Sequence, residues 1–185
     1  MLKKIISKKG IVVTLIAVCC LMAFAIFMLL SNKISYTVEE VNGTYNVSVN
    51  NRCGKRIYEN AYGVEPIIMQ VDKDTILIRT GKGDSRITKF INGKTNRVSD
   101  NFENISAYNG QLVVYGIYED EQLKIVIRDI YDKDKVYKEV IDTFPNVAVG
   151  SYIIKDAQII DEHSVDLTYY VGDEWEEKEE VILLD

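Results

Sequence analysis

The chain has 185 residues, of which 47% are hydrophobic and 27% charged. Four of its 22 basic residues precede residue 11, and all 28 acidic residues follow residue 31, so the later part carries a formal charge of −10 (18 minus 28). This charge argues against nucleic-acid binding, which needs a positive surface, and against lying flat on an anionic bilayer. The simplest explanation of this negative charge is solubility. The more specific interpretation is a cationic partner.

Residues 11–30 form an apolar run without a charge. As a helix this run would be about 30 Å long, the thickness of a hydrocarbon core, so we predict a single-pass signal anchor. The flanking lysines that set its orientation are Lys3, Lys4, Lys8 and Lys9 before it and Lys33 after it. Positive charge stays inside, which predicts a cytoplasmic basic segment at 1–10, a short linker at 31–35 and an extracytoplasmic domain at 36–185.

A cleaved signal peptide is the alternative. Ala23-Phe24-Ala25 matches an A-x-A cleavage pattern after a lysine-rich start. Cleavage there would leave five apolar residues at the new terminus, and the apolar run continues past the site, so a retained anchor is favoured. In the span, Cys19 and Cys20 are interpreted as apolar filler. Cys53 is the one cysteine beyond the span, so no intrachain disulfide is expected there.

The extracytoplasmic part reads as almost wholly β. Apolar and polar residues alternate along 45–49 and 165–171, the pattern of strands with one covered face. The runs 76–78, 112–115 and 123–130 are apolar on both faces, which predicts inner strands covered on both sides. Asn42-Gly43, Asn92-Gly93 and Asn109-Gly110 predict tight hairpin turns with positive φ. Helical signal is weak, including at 147–154.

These strands group into units of antiparallel meander at about 36–60, 74–99, 111–141 and 157–184. The unit at 111–141, with its lead-in from Ile105 to Gly110, resembles a blade of kelch-like or quinoprotein-like β-propellers, and 74–99 and 157–184 resemble one loosely. The resemblance implies small antiparallel sheets packed side by side. We therefore expect an all-β extracytoplasmic domain of antiparallel meanders, propeller-like or sandwich-like, with a partial barrel or an open stack as further alternatives.

The end of the chain is strongly acidic. Residues 173–180 hold six carboxylates and Trp175, the only tryptophan. A hairpin is predicted, with 165–171 leading into a turn and the last strand returning. The carboxylates would then protect an exposed sheet edge, or form a patch around Trp175 for a cationic partner.

No catalytic or metal-binding constellation is recognisable. His163 is the only histidine and lies before a predicted strand, without a nucleophile elbow elsewhere. The pairs Asp72–Asp74 and Asp132–Asp134 are more typical of hairpin turns than of calcium-binding loops. Gly81 to Asp84 lacks phosphate-loop spacing. No cofactor or metal is expected.

The sequence therefore predicts a non-enzymatic, membrane-anchored binding or assembly module with a protein or envelope partner and no nucleic acid. One alternative is a surface glycan hydrolase that uses loop carboxylates. Another is an immunity-type protein that binds a secreted toxin. The candidate contact residues are Tyr115, Tyr118, Tyr169, Tyr170 and Trp175.

Overall fold

The computed structural model describes residues 18–22, 33–83, 86–119 and 121–184. It separates into two units, Met1–Lys33 and Ile34–Asp185. In the first unit residues 18–22 are helical, whereas the rest of the predicted span and the A-x-A motif lie outside the described residues. Within the described part of the chain, no helix combines the length and the apolar character needed to cross a membrane.

The second unit is built from β-strands, as predicted. Its strands are β1 Ser35–Val41, β2 Thr44–Asn50, β3 Arg56–Tyr62, β4 Ile67–Gln70, β5 Thr75–Thr80, β6 Ile87–Asn92, β7 Arg97–Val98, β8 Phe102–Glu103, β9 Ala107–Tyr108, β10 Leu112–Glu119, β11 Gln122–Asp129, β12 Val136–Val140, β13 Ile154–Ile159, β14 Ser164–Val171 and β15 Glu176–Leu183. One 3₁₀ helix, η1, spans Gly150–Ile153 and precedes β13.

Within the described residues, the strands pair into four antiparallel sheets that follow one another along the chain. Sheet A has the order β1-β2-β3, and sheet B has β4-β5-β6-β7 with β8 also paired to β6. Sheet C has the order β12-β11-β10-β9, and sheet D has β13-β14-β15. The prediction of antiparallel meanders is confirmed, and each of the four predicted units lies in a different sheet. The likeness to propeller blades is supported at this coarse level, and no propeller is identified.

Three buried clusters join the sheets in chain order. The A–B cluster contains Ile34, Val47, Val49, Ile76, Ile78 and Ile91. The B–C cluster contains Leu77, Phe90, Phe102, Val113, Tyr115, Val126 and Ile130. The C–D cluster contains Leu112, Val114, Leu123, Ile125, Ile127, Val140, Val147, Ile153, Val165, Leu167, Tyr169, Ile182 and Leu184. No buried cluster of described residues joins sheet A to sheet D.

This layering explains the two kinds of strand seen in the sequence. Neighbouring residues of β5 point to opposite faces, so Ile76 packs toward sheet A while Leu77 packs toward sheet C. In β10, Val113 packs toward sheet B and Val114 toward sheet D. Strands of sheets B and C are apolar on both faces because both faces are covered. In sheet D, by contrast, β14 buries alternate residues only.

The three Asn-Gly pairs do not all form the predicted turn. Asn42 and Gly43 both have positive φ (53° and 75°) and join β1 to β2 in a two-residue hairpin, as predicted. Asn92-Gly93 instead begins a four-residue loop, in which the Asn92 side chain accepts hydrogen bonds from the Lys94 and Thr95 amides. In this loop Asn96 is the residue with positive φ (57°).

Asn109-Gly110 was also predicted wrongly as a positive-φ hairpin turn. The Asn109 carboxamide oxygen accepts hydrogen bonds from the amides of Gln111 and Leu112, each at 2.7 Å. Asparagine side chains can make a turn in this way without a left-handed backbone. The dipeptide therefore marked the turns correctly, but it did not determine their type.

Candidate ligand-binding groove

β10 and η1 touch each other through two glycines. Gly116 lies in β10, and Gly150 is the first residue of η1. A Cβ atom on Gly150 would lie 2.5 Å from the Gly116 carbonyl oxygen, and one on Gly116 would overlap the Gly150 carbonyl group. Ile153, at the other end of η1, is completely buried in the C–D cluster and anchors the turn. Glycine at both positions allows this backbone-to-backbone contact, because any side chain there would separate the two segments.

A cavity of about 450 Å³ opens beside the glycine contact. Buried Phe102 and Tyr115 form part of its lining, with their ring centroids 5.6 Å apart in an edge-to-face arrangement. Tyr118 also lines it and is 53% exposed. The cavity thus combines a fixed aromatic wall with an accessible aromatic side chain.

Arg128 supports the aromatic wall from sheet C. Its guanidinium lies 4.7 Å from the centroid of the Phe102 ring and 6.0 Å from that of Tyr115. It also pairs with the Asp100 carboxylate at 3.3 Å. Burial raises the pKa of Tyr115 above its ordinary value. These contacts hold both rings in place and so favour a rigid wall.

A second cavity of about 270 Å³ adjoins the first. Its lining includes Arg79, Arg86, Thr88 and Ser106, and it shares Asn104 and Ser151 with the larger cavity. We call the two cavities together the η1 groove, with an aromatic end around Tyr118 and an arginine end around Arg79 and Arg86. No carboxylate is among the described residues that line the arginine end.

Hydrogen bonds fix the backbone and side chains at the arginine end. Arg79 faces Thr88 across the β5–β6 pair, and its Nε donates to the Thr88 hydroxyl at 3.3 Å. The Arg86 amide donates to the Asn104 side-chain oxygen at 3.2 Å, and the Asn104 amide donates back to the Arg86 carbonyl at 2.9 Å. Among the described residues, the arginines in ion pairs are Arg52, Arg56 and Arg128.

The five predicted contact residues fall at three places. Tyr115 and Tyr118 lie together at the aromatic end of the groove. Tyr170 and Trp175 pack edge-to-face at 5.4 Å on sheet D, where Trp175 is 44% exposed and has positive φ (60°). Tyr169 is completely buried in the C–D cluster. The structure therefore brings two of the five into one cavity, pairs two others on sheet D and buries the fifth.

Tyr169 belongs to a third cavity, of about 470 Å³, between the edge strands β12 and β15. Its hydroxyl donates to the Glu180 carboxylate at 2.6 Å. Lys178 pairs with Asp142 at 2.9 Å, and hydrogen bonding from Lys178 lowers the pKa of Asp142. Glu139 also lines this cleft and forms an ion pair of its own at 2.7 Å. All three described carboxylates of the cleft are thus held by a donor, and Asp142 stays ionised to lower pH than an ordinary aspartate.

We predict that ionisation of Tyr169 destabilises the fold at high pH. Burial, followed by the hydrogen bond to Glu180, raises its pKa from 10 to about 12. Because the folded pKa exceeds the unfolded one, the stabilisation is complete below pH 10 and is lost as the pH rises toward about 12. Thermal unfolding across this pH range should show that Tyr169→Phe loses less stability than the wild-type protein. Tyrosinate absorbance over the same range follows the ionisation itself. Equal losses in both proteins would contradict the prediction. Glu180→Gln is the comparison variant, because it removes the carboxylate that accepts the hydroxyl but leaves Tyr169 buried.

The acidic pairs considered for metal binding lie in hydrogen-bonded turns. The Asp72 carboxylate accepts hydrogen bonds from the amides of Asp74 and Thr75, and Asp74 pairs with Arg52. The Asp132 carboxylate likewise accepts one from the amide of Asp134. Within the described residues, no group of three or more His, Cys, Asp or Glu side chains is arranged to hold a metal ion.

Sequence reasoning missed the arginine end of the groove. Arg79 and Arg86 are separated by the β5–β6 turn, and Ser106 and Ser151 are contributed by segments far along the chain. Their types are common and their spacing matches no motif. Only the reversal of direction at the hairpin and the insertion of η1 bring them together, so no local signal could have found them.

Comparison with known proteins adds no assignment. The chain matches no protein-family model, no curated protein sequence and no solved structure at a significant level.

Proposed function

We propose that this protein is a non-enzymatic, membrane-anchored binding module whose β unit presents the η1 groove outside the cytoplasm. The apolar run at 11–30 and the lysines before it support the anchor and the orientation. The groove supports the binding role. Its lining residues come from sheets B and C and from η1, which are joined by buried clusters.

The observation that carries this proposal is the accessible tyrosine beside a rigid wall. Tyr118 offers a large amphipathic ring with few rotatable bonds, which is characteristic of residues that dominate binding energy. Phe102 and Tyr115 are buried and pack edge-to-face, and Gly116 packs directly against the backbone of Gly150. A ligand would therefore lose little affinity to the ordering of its site.

The test is retention of an envelope component by the full-length chain in detergent micelles. Tyr118→Ala is expected to weaken retention by about tenfold or more, as for a central aromatic contact. Tyr36→Ala is the matched control, because Tyr36 is a similarly exposed tyrosine on sheet A and lies outside the groove. Loss of retention in both variants, or in neither, would contradict the assignment of the groove.

An immunity-type role is the second candidate, and the acidic hairpin supports it. Trp175 lies exposed in the β14–β15 turn beside Tyr170, and the following strand begins with Glu176 and Glu177. An exposed tryptophan among carboxylates suits a cationic protein partner. In the same retention assay, loss on Trp175→Ala but not on Tyr118→Ala would favour this candidate over the groove.

A glycan hydrolase remains a weaker proposal. Such enzymes need one carboxyl group of raised pKa beside an ionised one. In the cleft between β12 and β15, Glu180 accepts the Tyr169 hydroxyl and the pKa of Asp142 is lowered. Glu139, the third carboxylate of the cleft, pairs with Lys124. Each of the three is held by a hydrogen-bond donor or a lysine, so the cleft does not favour this activity.

A further inference from the structure

We infer that the arginine end of the η1 groove binds a phosphate group carried by a small polyol or sugar. The inference rests on the proposed binding function and names the chemical class of its ligand. It is drawn from the charge, the hydrogen-bonding groups and the size of this cavity.

Among the described residues that line it, the charge at this end is positive, opposite to that of the unit around it. The chain beyond residue 31 has 28 acidic and 18 basic residues, yet Arg79 and Arg86 line one cavity together. Neither forms an ion pair with a described residue. Two guanidinium groups on one cavity repel each other, and Arg79 is only partly exposed to water. A bound anion relieves this repulsion, and a phosphate monoester, with up to two negative charges, matches the two cations better than a carboxylate does.

The remaining lining groups suit the rest of such a ligand. Thr88, Ser106 and Ser151 supply hydroxyl groups, which donate to phosphate oxygens or exchange hydrogen bonds with ligand hydroxyls. The bond from Arg79 Nε to Thr88 orients the guanidinium and leaves its terminal nitrogens to bind. The backbone of Arg86, immediately before β6, is held by its reciprocal bonds with Asn104.

The size of the cavity indicates more than a bare ion. A volume of about 270 Å³ corresponds to roughly nine water molecules. Because the two cavities share Asn104 and Ser151 in their linings, a polyol or sugar attached to the phosphate would extend toward the aromatic end and Tyr118. Aromatic rings commonly pack against the apolar faces of such groups.

Calorimetric titration of the full-length chain in micelles tests the inference with four probes: inorganic phosphate, glycerol 3-phosphate, glycerol and acetate. We expect both phosphates to bind, glycerol 3-phosphate more tightly, and glycerol not to bind measurably. Arg79→Gln and Arg86→Gln should each weaken phosphate binding by about tenfold, the loss expected for one charge-assisted contact. Arg56→Gln, which removes the same charge from an exposed ion pair on sheet A, should change nothing.

Several results would overturn the inference. Absence of phosphate binding would do so, as would equal weakening by Arg56→Gln, which would indicate a general effect of charge. Equally strong binding of acetate would overturn the assignment to phosphate. Arg86→Gln keeps the test informative if Arg79→Gln folds poorly, because Arg86 is exposed. If phosphate does not bind but retention still depends on Tyr118, the inference fails and the proposed function stands. If phosphate binds but retention does not depend on Tyr118, the proposed function fails and the phosphate site stands.

Discussion

Replacement of Gly116 by alanine is expected to lower the free energy of unfolding by about 3 kcal/mol, at the upper end of the usual cost of overpacking. The new Cβ would overlap the Gly150 carbonyl group and lie 3.2 Å from the Ser151 amide nitrogen. Both are backbone atoms, so no side-chain rotation can make room. The backbone of β10 must separate from η1, which pulls Ile153 away from the C–D cluster. Thermal unfolding of the full-length chain followed by near-ultraviolet circular dichroism measures the loss.

Gly63→Ala is the matched control for this change. Gly63 has no heavy atom within 4 Å of the position of an added Cβ, and its φ is not positive. Its substitution should change the unfolding free energy by no more than about 0.5 kcal/mol. If Gly116→Ala proved as stable as Gly63→Ala, the close contact between β10 and η1 would be wrong, and the shape of the η1 groove with it.

Phe102→Ala is expected to cost about 3–4 kcal/mol of stability, as for other buried phenylalanines. Phe102 is 2% exposed and belongs to the B–C cluster, although its strand β8 contains only two residues. Its ring contacts Phe90 and Tyr115 edge-to-face, with centroids at 6.0 and 5.6 Å. Because β8 makes only two register pairs with β6, this side chain supplies much of what holds the segment against sheet C.

Phe102→Leu separates the contribution of buried volume to stability from that of the aromatic ring contacts. Leucine keeps most of the buried volume, so the expected cost is about 1 kcal/mol. The alanine variant should also widen the aromatic end of the groove, since Phe102 lines it, and should weaken retention of the envelope component. Retention unchanged in a folded Phe102→Ala protein would contradict the proposed role of the rigid wall.

The hydrophobic pattern was a reliable guide to strands because it reflects which faces are covered. The both-face apolar runs around Leu77 and Val114 lie in inner sheets, and the alternating strand containing Leu167 lies in sheet D at the end of the series. The same pattern could not predict turn geometry. At Asn109 the side chain forms the turn through its own hydrogen bonds, whereas at Asn42 the backbone takes a positive φ. Which of these two mechanisms operates depends on the neighbouring strands.

The candidate contact residues show the same limit. Residue type selected Tyr115, Tyr169 and Trp175 alike, because each is a large aromatic residue in a predicted strand or turn. The structure buries Tyr169 completely and leaves Trp175 44% exposed. Burial depends on which sheet covers a given face, and this is a property of packing between segments distant in the chain.

The sequence by itself determined that the Ile34–Asp185 unit is all-β, where its main strands lie and that it divides into successive antiparallel meanders, since these features follow from local periodicity and turn-forming residues. Only the tertiary structure decided that sheets B and C are covered on both faces in the order A to D, and that η1 meets β10 at Gly116 and Gly150. It also decided that Arg79 and Arg86 share a cavity with Ser151. The physical reason is that a strand's own residues set its pattern, whereas a cavity is the space left between segments whose packing no local pattern encodes.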